Sequence, residues 1–261
     1  MTKPDTDTAC FAAEDGGYRP LNLARSYWGR DALGGRAVVG LLGYEIERLH
    51  GADTLVPARL TVDMYRLAPF ASLQIRSRVI RDGRRLRLVE ADLIANGEAV
   101  ARASCQFLAP TPPPAGRVWS PAPWNPSHPD TIKDEKREKR GAFEQRTVSG
   151  HLGATTEKGC WIRERFALVQ GQPFTPFSRV AAAADFASPY SNMGDAGIRY
   201  MNTDVTIHLH RVPTAEWIGF EVTGHEASQG IAVGHCRLHD LDGPIGYVSC
   251  TAIANERRPS S

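Results

Sequence analysis

The sequence predicts an α+β chain built from two copies of one unit, a helix followed by an antiparallel meander. Three observations predict it. A glycine-opened amphipathic helix spans residues 31–49. Four strand-like runs follow, two of their junctions marked by Asp82-Gly83 and Asn96-Gly97, dipeptides that favour tight hairpins. The second half then repeats the first in order and in spacing.

The helix reads DALGGRAVVGLLGYEIERL. Ala37, Val38, Leu41, Leu42, Ile46 and Leu49 recur at steps of one, three and four, a broad apolar face. Gly34 and Gly35 precede the periodic run. Glycine there lets a ligand approach the first-turn N–H groups closely. Gly40 and Gly43 inside the helix each cost about 1 kcal/mol against alanine, which predicts close packing by a neighbour. The strands follow as Leu60–Arg66, Leu73–Arg81, Arg85–Ala95 and Glu98–Leu108. A helix laid on such a sheet is an α+β unit.

Residues 1–17 are polar and end in glycine, and read as a loose tail. The first unit is expected over 18–109 and the second over 143–255, with a short tail at 256–261. Between the units lies a linker, 110–142, with eight prolines between Pro110 and Pro129; such segments stay extended and span distance. Trp119 and Trp124 predict that it lies along the protein surface. Asp134–Arg140 is a mixed charge run expected to be solvated. In the second unit Arg179–Phe186 reads as a short alanine-rich helix, followed by strands Asp204–His210, Trp217–His225, Gly230–Leu241 and Ile245–Ile253. Ser104-Cys105 aligns with Ser249-Cys250, and Asn96-Gly97 with Asp242-Gly243. Duplicated units bury their faces against each other.

Bulk properties exclude several functions. The 261 residues suffice for a large core, and a net charge of +2 is too weak to argue for nucleic acid. No run of eighteen apolar residues predicts a membrane span, and the N-terminus lacks the apolar core of a secretory signal. The five cysteines show no CxxC or Cys/His ligand spacing. They read as free thiols of a reducing cytoplasm, with no metal and no cofactor expected. There is no GxSxG elbow, P-loop or dinucleotide fingerprint.

The ordered set resembles the double-hotdog acyl-CoA thioesterases of the type II class. The residues that carry it are Trp28 with Gly34-Gly35, RLTVDMYRLAP (59–69), SRVIRDGRRLRLVEADLIANGEAVARASCQF (77–107), WIRERF (161–166), VAAAADF (180–186) and TDVTIHLHR (203–211). The resemblance covers residues 18–255. It implies a tandem hotdog, each unit a curved antiparallel sheet wrapped around one helix, acting on an acyl-CoA or acyl-carrier thioester and assembling as a homo-oligomer. It implies an aspartate, a hydroxyl residue and a glutamine that hold a water, and helix N–H groups that polarise the thioester carbonyl.

The aspartate maps onto Asp204, ahead of His210-Arg211. The hydroxyl position falls near Thr223 to His225, and the glutamine position on Thr251, a departure from the family's pattern. The first half offers Gln106 on the equivalent strand and Asp63 on its middle strand. Gly34 and Gly35 are the expected carbonyl donors. His208 and His210 share the polar face of the Asp204 strand and are candidate substrate contacts. Asp185 follows the family's own pattern in the alanine-rich helix and reads as structural. Physically, a carboxylate near water can act as base, and preorganised N–H donors stabilise the oxyanion. Two other readings use the same scaffold: enoyl-thioester hydration, dehydration or isomerisation, and acyl-thioester binding without turnover. An Asp–His spacing of five, the hydratase pattern, does not occur; Asp204 and His208 are four apart.

Overall fold

The structure is a computed structural model and describes residues 7–133 and 142–255. The chain opens with strands β1 (Ala9–Glu14) and β2 (Gly17–Pro20), then helix α1 (Gly35–His50). The first meander is β3 (Val56–Met64), β4 (Leu73–Asp82), β5 (Leu86–Ala95) and β6 (Glu98–Leu108). After the linker come β7 (Phe143–Ser149), β8 (Gly159–Glu164) and β9 (Ala167–Val169). Helices α2 (Pro176–Ala184) and α3 (Ala187–Asn192) follow. The chain ends in β10 (Tyr200–Asn202), β11 (Asp204–Leu209), β12 (Ile218–Ser228), β13 (Ile231–Asp240) and β14 (Gly243–Ala254).

These strands form one sheet, ordered β7-β8-β12-β13-β14-β11-β3-β6-β5-β4-β2-β1-β9, with β10 pairing β14. The fold is a tandem hotdog: a curved, unclosed sheet wraps two helices. The join between the units is β3 against β11, antiparallel. Thr61 faces Thr206 there, their hydroxyl oxygens 3.2 Å apart. The step of 145 residues that relates Cys105 to Cys250 also relates Thr61 to Thr206, so this pair lies on the pseudo-twofold axis of the duplication.

Alternation decides the two faces of the sheet. Leu60, Val62, Val205, Ile207, Val248 and Cys250 point at the helices and are buried. Thr61, Asp63, Thr206, His208 and Thr251 alternate with them, toward the outer face. On the inner side α1 lies directly on α2. A side-chain carbon added at Gly43 would sit 2.6 Å from the Ala181 methyl, and one at Gly40 3.1 Å from Ala182. The glycines thus trade helix propensity for close contact with the buried run Ala181–Ala184.

Two sequence expectations are corrected here. Residues 1–17 are not a loose tail: Ala9–Glu14 pairs antiparallel with β2 and parallel with β9, and Ala9, Cys10 and Phe11 are fully buried. The apolar run there, ACFAA, is short and mostly alanine, too weak to read as a strand without its partners. The second-unit helix is also broken in two. Pro189 has no N–H to offer the Asp185 carbonyl four residues back, so the ladder stops at Asp185 and restarts as α3. Residues 1–6, the 256–261 tail and the charge run Asp134–Arg140 lie outside the described residues.

The linker does lie along the surface, through Trp124 and not Trp119. The Trp124 ring packs 5.5 Å from Trp161 and 4.7 Å from His239. Gly159 and Gly219 leave room for it. Trp161 Nε1 donates to Ser127 O at 3.0 Å. Trp119 is 84% exposed.

Arg211 closes the β13–β14 end. Its guanidinium makes two bonds of 2.6 Å to the Asp240 carboxylate, which also accepts from the backbone N–H groups of Thr214 and Asp242. Burial works to raise the Asp240 carboxyl, but Arg211 and the two N–H donors hold it below the ordinary value. A depressed folded pKa means stability that is present above the unfolded aspartate value, near 4, and lost as pH falls through the lower folded one. Asp240→Asn should therefore flatten the acid side of the stability curve below about pH 4. Thermal unfolding between pH 2 and 7 reads this directly; an unchanged acid slope would show that the Arg211 clamp adds no stability.

Candidate functional site

A cavity of about 290 Å³ opens against the start of α1, beside the end of β3 and the strand β10. Its wall is mostly apolar, including Leu33, Val38, Met64, Leu67, Val100 and Ile253. Gly34, Gly35, Asp185, Asn202, Thr203 and Tyr200 supply polar groups. An apolar pocket with a few converging polar groups is the usual form of a small-molecule site.

The start of α1 leaves one donor open. Gly34 N–H donates to Ala24 O at 2.9 Å, and Ala37 N–H to Gly34 O at 3.0 Å. The Arg36 backbone N–H is directed at the Asp185 carboxyl. The Gly35 N–H has no acceptor among the described residues. It stands at the positive end of a sixteen-residue helix, where carbonyl or anionic oxygen is favoured.

Asp185 lies against this end. A side-chain carbon on Gly35 would come within 2.2 Å of its Oδ1, so only glycine fits there. Asn202 Nδ2 donates to Oδ1 at 3.0 Å. Protein encloses the carboxyl while part of the residue stays open to the cavity. Burial raises its pKa, against the opposing pull of Asn202 and Arg36. The Arg36 guanidinium itself is turned away, paired with the buried Glu164 carboxylate.

Asp204 stands at a β-bulge. Between Asn202↔Ala252 and Thr206↔Ser249, four steps along one strand oppose three along the other. The extra residue, Thr203, donates its N–H to Thr251 O at 2.9 Å. Thr251 N–H in turn donates to Asp204 Oδ1 at 2.7 Å. Bulges re-aim side chains in this way. Asp204 does not itself line the cavity, but its neighbours Asn202 and Thr203 do. Thr251 meets Asp204 through its backbone, so threonine serves that contact as well as glutamine would.

The other expected residues are dispersed. The first unit has the same bulge, between Pro57↔Phe107 and Arg59↔Gln106. By the 145-residue step, the counterpart of Asp204 is therefore Arg59, and that of Thr251 is Gln106. Asp63 is instead the cross-strand neighbour of Asp204. Gln106 sits beside Arg59, four residues along β3 from Asp63, or roughly 13 Å away. Gln106 and Asp63 therefore do not form a first-half site. His208 lies opposite Arg59 and is exposed, as is His210; neither lines the cavity.

Thr223 is exposed on β12, and its hydroxyl lies 3.5 Å from His235 O. His225 Nδ1 lies 2.9 Å from Asn192 Oδ1, and its ring is edge-on to the cavity residue Tyr200. The buried Asn192 Nδ2 has no hydrogen-bond partner among the described residues. Neither Thr223 nor His225 hydrogen-bonds to Asp204. Among the described residues, no group of three or more His, Cys, Asp or Glu is placed to hold a metal ion.

Gly34 and Gly35 both line the cavity, but the Gly34 N–H, an expected carbonyl donor, is already taken by Ala24 O, because the chain before the helix folds back on it. Asn202 is new, and Asp185 gains a place in the site. The glycine pair and the Ala-Ala-Asp-Phe segment are visible in sequence, but their contact spans 150 residues.

The two ends of the helix pair are not equivalent. The α2 N-terminus is closed by its own Thr175–Ser178 capping box, with Pro176 in its first turn. Glu47 of α1 accepts from the Thr175 hydroxyl, and burial raises its carboxyl pKa. At the α1 end the N-cap residue, Gly34, has no side chain to cap with, and only the Arg36 N–H is met by a side chain, the Asp185 carboxyl.

The tight fit at Gly35 can be tested by stability. Gly35→Ala should destabilise the protein by about 1–3 kcal/mol, as overpacking does. Gly34→Ala, whose nearest new neighbour would be Arg25 O at 3.3 Å, should cost less. Urea denaturation of both variants gives the comparison, and equal costs would remove the packing argument.

Comparison with known proteins agrees with this architecture. Residues 24–108 match the family model of the acyl-CoA thioesterase N-terminal domain, and residues 112–253 that of the C-terminal domain. No curated protein matches the chain. Among solved structures, a conserved hot dog protein of unknown function from Alicyclobacillus acidocaldarius superposes with a TM-score of 0.75 at 14% identity, covering 99% of this chain and 100% of that one. The acyl-CoA thioesterase II TesB2 from Mycobacterium marinum gives 0.65 at 16% identity, covering 95% of each chain. The TesB protein of Mycobacterium avium subsp. paratuberculosis gives 0.68 at 14%, covering 86% of this chain and 88% of that one. At such identities the structural likeness is one of fold; the family models carry the assignment. With both halves matched in order and almost end to end, the chain belongs to the acyl-CoA thioesterase family.

Proposed function

We propose that the protein hydrolyses acyl-CoA thioesters in the cavity at the start of α1, with Asp204, next in the chain after the lining residues Asn202 and Thr203, holding and activating the water from outside the lining itself. The observation that carries this reading is the open N–H of Gly35, a residue in the wall of an apolar cavity, at the one helix start of the pair that has no capping box. The acyl chain would lie along the apolar wall, and the thioester carbonyl would accept from Gly35 N–H. As water attacks, charge develops on that oxygen, and a preorganised donor at a helix start stabilises it without reorganising. The water's proton passes to Asp204, whose Oδ1 is anchored on Thr251 N–H; Oδ2 is left for the water. The tetrahedral intermediate collapses, the C–S bond breaks, and the thiolate leaves and takes a proton. A thiol, with a pKa near 8.5, is a good leaving group, so no acid beside the sulfur is required.

The chemistry asks nothing of a cofactor. The five buried free thiols favour a reducing compartment such as the cytoplasm. The same reading keeps the substrate class to acyl-CoA or acyl-carrier thioesters and expects a homo-oligomer. Exposed Tyr247 on the outer face of the sheet offers apolar surface for such assembly.

The test is release of free thiol from acyl-CoAs of increasing chain length. The wild-type protein should turn over some of them, and Asp204→Asn should lower kcat by about 10²–10⁴-fold, the range of general-base catalysis. Unchanged turnover in Asp204→Asn would remove Asp204 from the mechanism.

A further inference from the structure

The hydrolytic reading fixes one end of the substrate, with the thioester carbonyl at Gly35 N–H. The acyl chain must fit what the cavity leaves beyond that point. Along α1 the cavity is one turn deep, or about 5 Å. Only Gly34, Gly35 and Val38 of the helix line it. Val38 stands three residues on from Gly35, on the same face, and is 3% exposed. The next residues of that face, Leu41 and Leu42, are fully buried in the core and take no part in the wall.

The other elements also meet the cavity by their ends. β3 reaches it with Met64, its last residue, and α3 with Ser188 and Pro189 of its only full turn. α2 contributes nothing to the wall. Past Val38 the two long helices close on each other, at Gly40 against Ala182 and Gly43 against Ala181, so no channel continues between them. The opposite side is the mouth: Tyr27, Tyr65 and Leu67 line it and are exposed. The cavity is a basin with Val38 at its floor.

Its volume bounds the acyl group. A cavity of about 150 Å³ holds a benzene, so one of about 290 Å³ takes about twelve non-hydrogen atoms. The carbonyl oxygen, the sulfur and the adjoining carbons of the thiol arm use about four of these, which leaves about eight for acyl carbons. We propose, resting on the hydrolytic reading, that Val38 sets the acyl length and that the enzyme selects acyl groups of at most about eight carbons. Each methylene that reaches the floor leaves water and is worth about fourfold in kcat/KM. A methylene beyond it meets Val38 and the closed helix pair, turns back toward the mouth and gains nothing.

The experiment is kcat/KM for thiol release along the straight-chain series from butanoyl-CoA to hexadecanoyl-CoA, for wild type, Val38→Ala and Val38→Phe. The wild-type values should climb about fourfold per methylene and break at about eight carbons. Val38→Ala removes both methyl groups and should move the break up by about two carbons; Val38→Phe fills the basin and should move it down by about four. Val38→Met is the milder substitute should the phenylalanine variant not fold, with a shift down of about one carbon. A climb that continues unbroken to hexadecanoyl-CoA overturns the proposal, and so does a break at the same length in wild type and variants. Calorimetric binding of acyl-CoA analogues with CH₂ in place of the thioester sulfur reads the same break without turnover. No thiol release from any acyl-CoA would sink the hydrolytic reading. The analogues then decide the basin alone: a break that moves with residue 38 upholds the length limit, while an unbroken rise, or no binding of any analogue, overturns it.

Discussion

Everything at the site depends on the antiparallel pairing of β3 with β11. It fuses two hotdog units into one sheet and fixes their register through Thr61 and Thr206. A slip of one residue would turn every side chain of either strand to the opposite face, which the buried Leu60, Val62, Val205 and Ile207 forbid. With the register held, β10 of the second unit passes the start of α1 of the first. Asp185 and Asn202 then reach a helix end some 150 positions away in the chain.

The helix pair sets the second constraint. Alanines on α2 against glycines on α1 bring the backbones close, and this leaves little freedom for either helix to slide. The duplication has diverged at the two helix ends that result. One is closed by a capping box and by Glu47; the other is open, flanked by glycine and lined by a cavity. The same divergence appears at the paired bulges, where one unit carries Arg59 and the other Asp204. Arg59 Nε is buried without a hydrogen-bond partner among the described residues. The architecture is twofold, and the side chains at the helix ends and bulges are not.

Part of the site is legible in the residues themselves. Gly34-Gly35 announces a close approach because glycine ahead of an amphipathic helix has few other uses, and the family pattern marks Asp204. The dispersed candidates fail for a common reason. Strand alternation places Gln106, Asp63, His208 and His210 on a face of the sheet, but it does not say which strands are neighbours. The 145-residue step pairs Asp204 with Arg59, and that equivalence emerges only when the bulges are seen. Asp185 reads as structural along the chain because its partner, Gly35, lies in the other unit.

Local chemistry dictates the helix through its 3.6-residue period, the strands through alternation, the hairpins through Asp-Gly and Asn-Gly, and the duplication through self-similarity; all of these are written in the sequence. Distant contacts govern the rest, and these exist only once the chain is folded. They draw residues 9–14 into the sheet, because a short alanine-rich run becomes a strand only when β2 and β9 offer their ladders. They set Trp124 and not Trp119 against the sheet, because only there do two glycines leave room. And they choose which helix start stays open, since the value of an uncapped N–H rests on what the rest of the chain brings beside it.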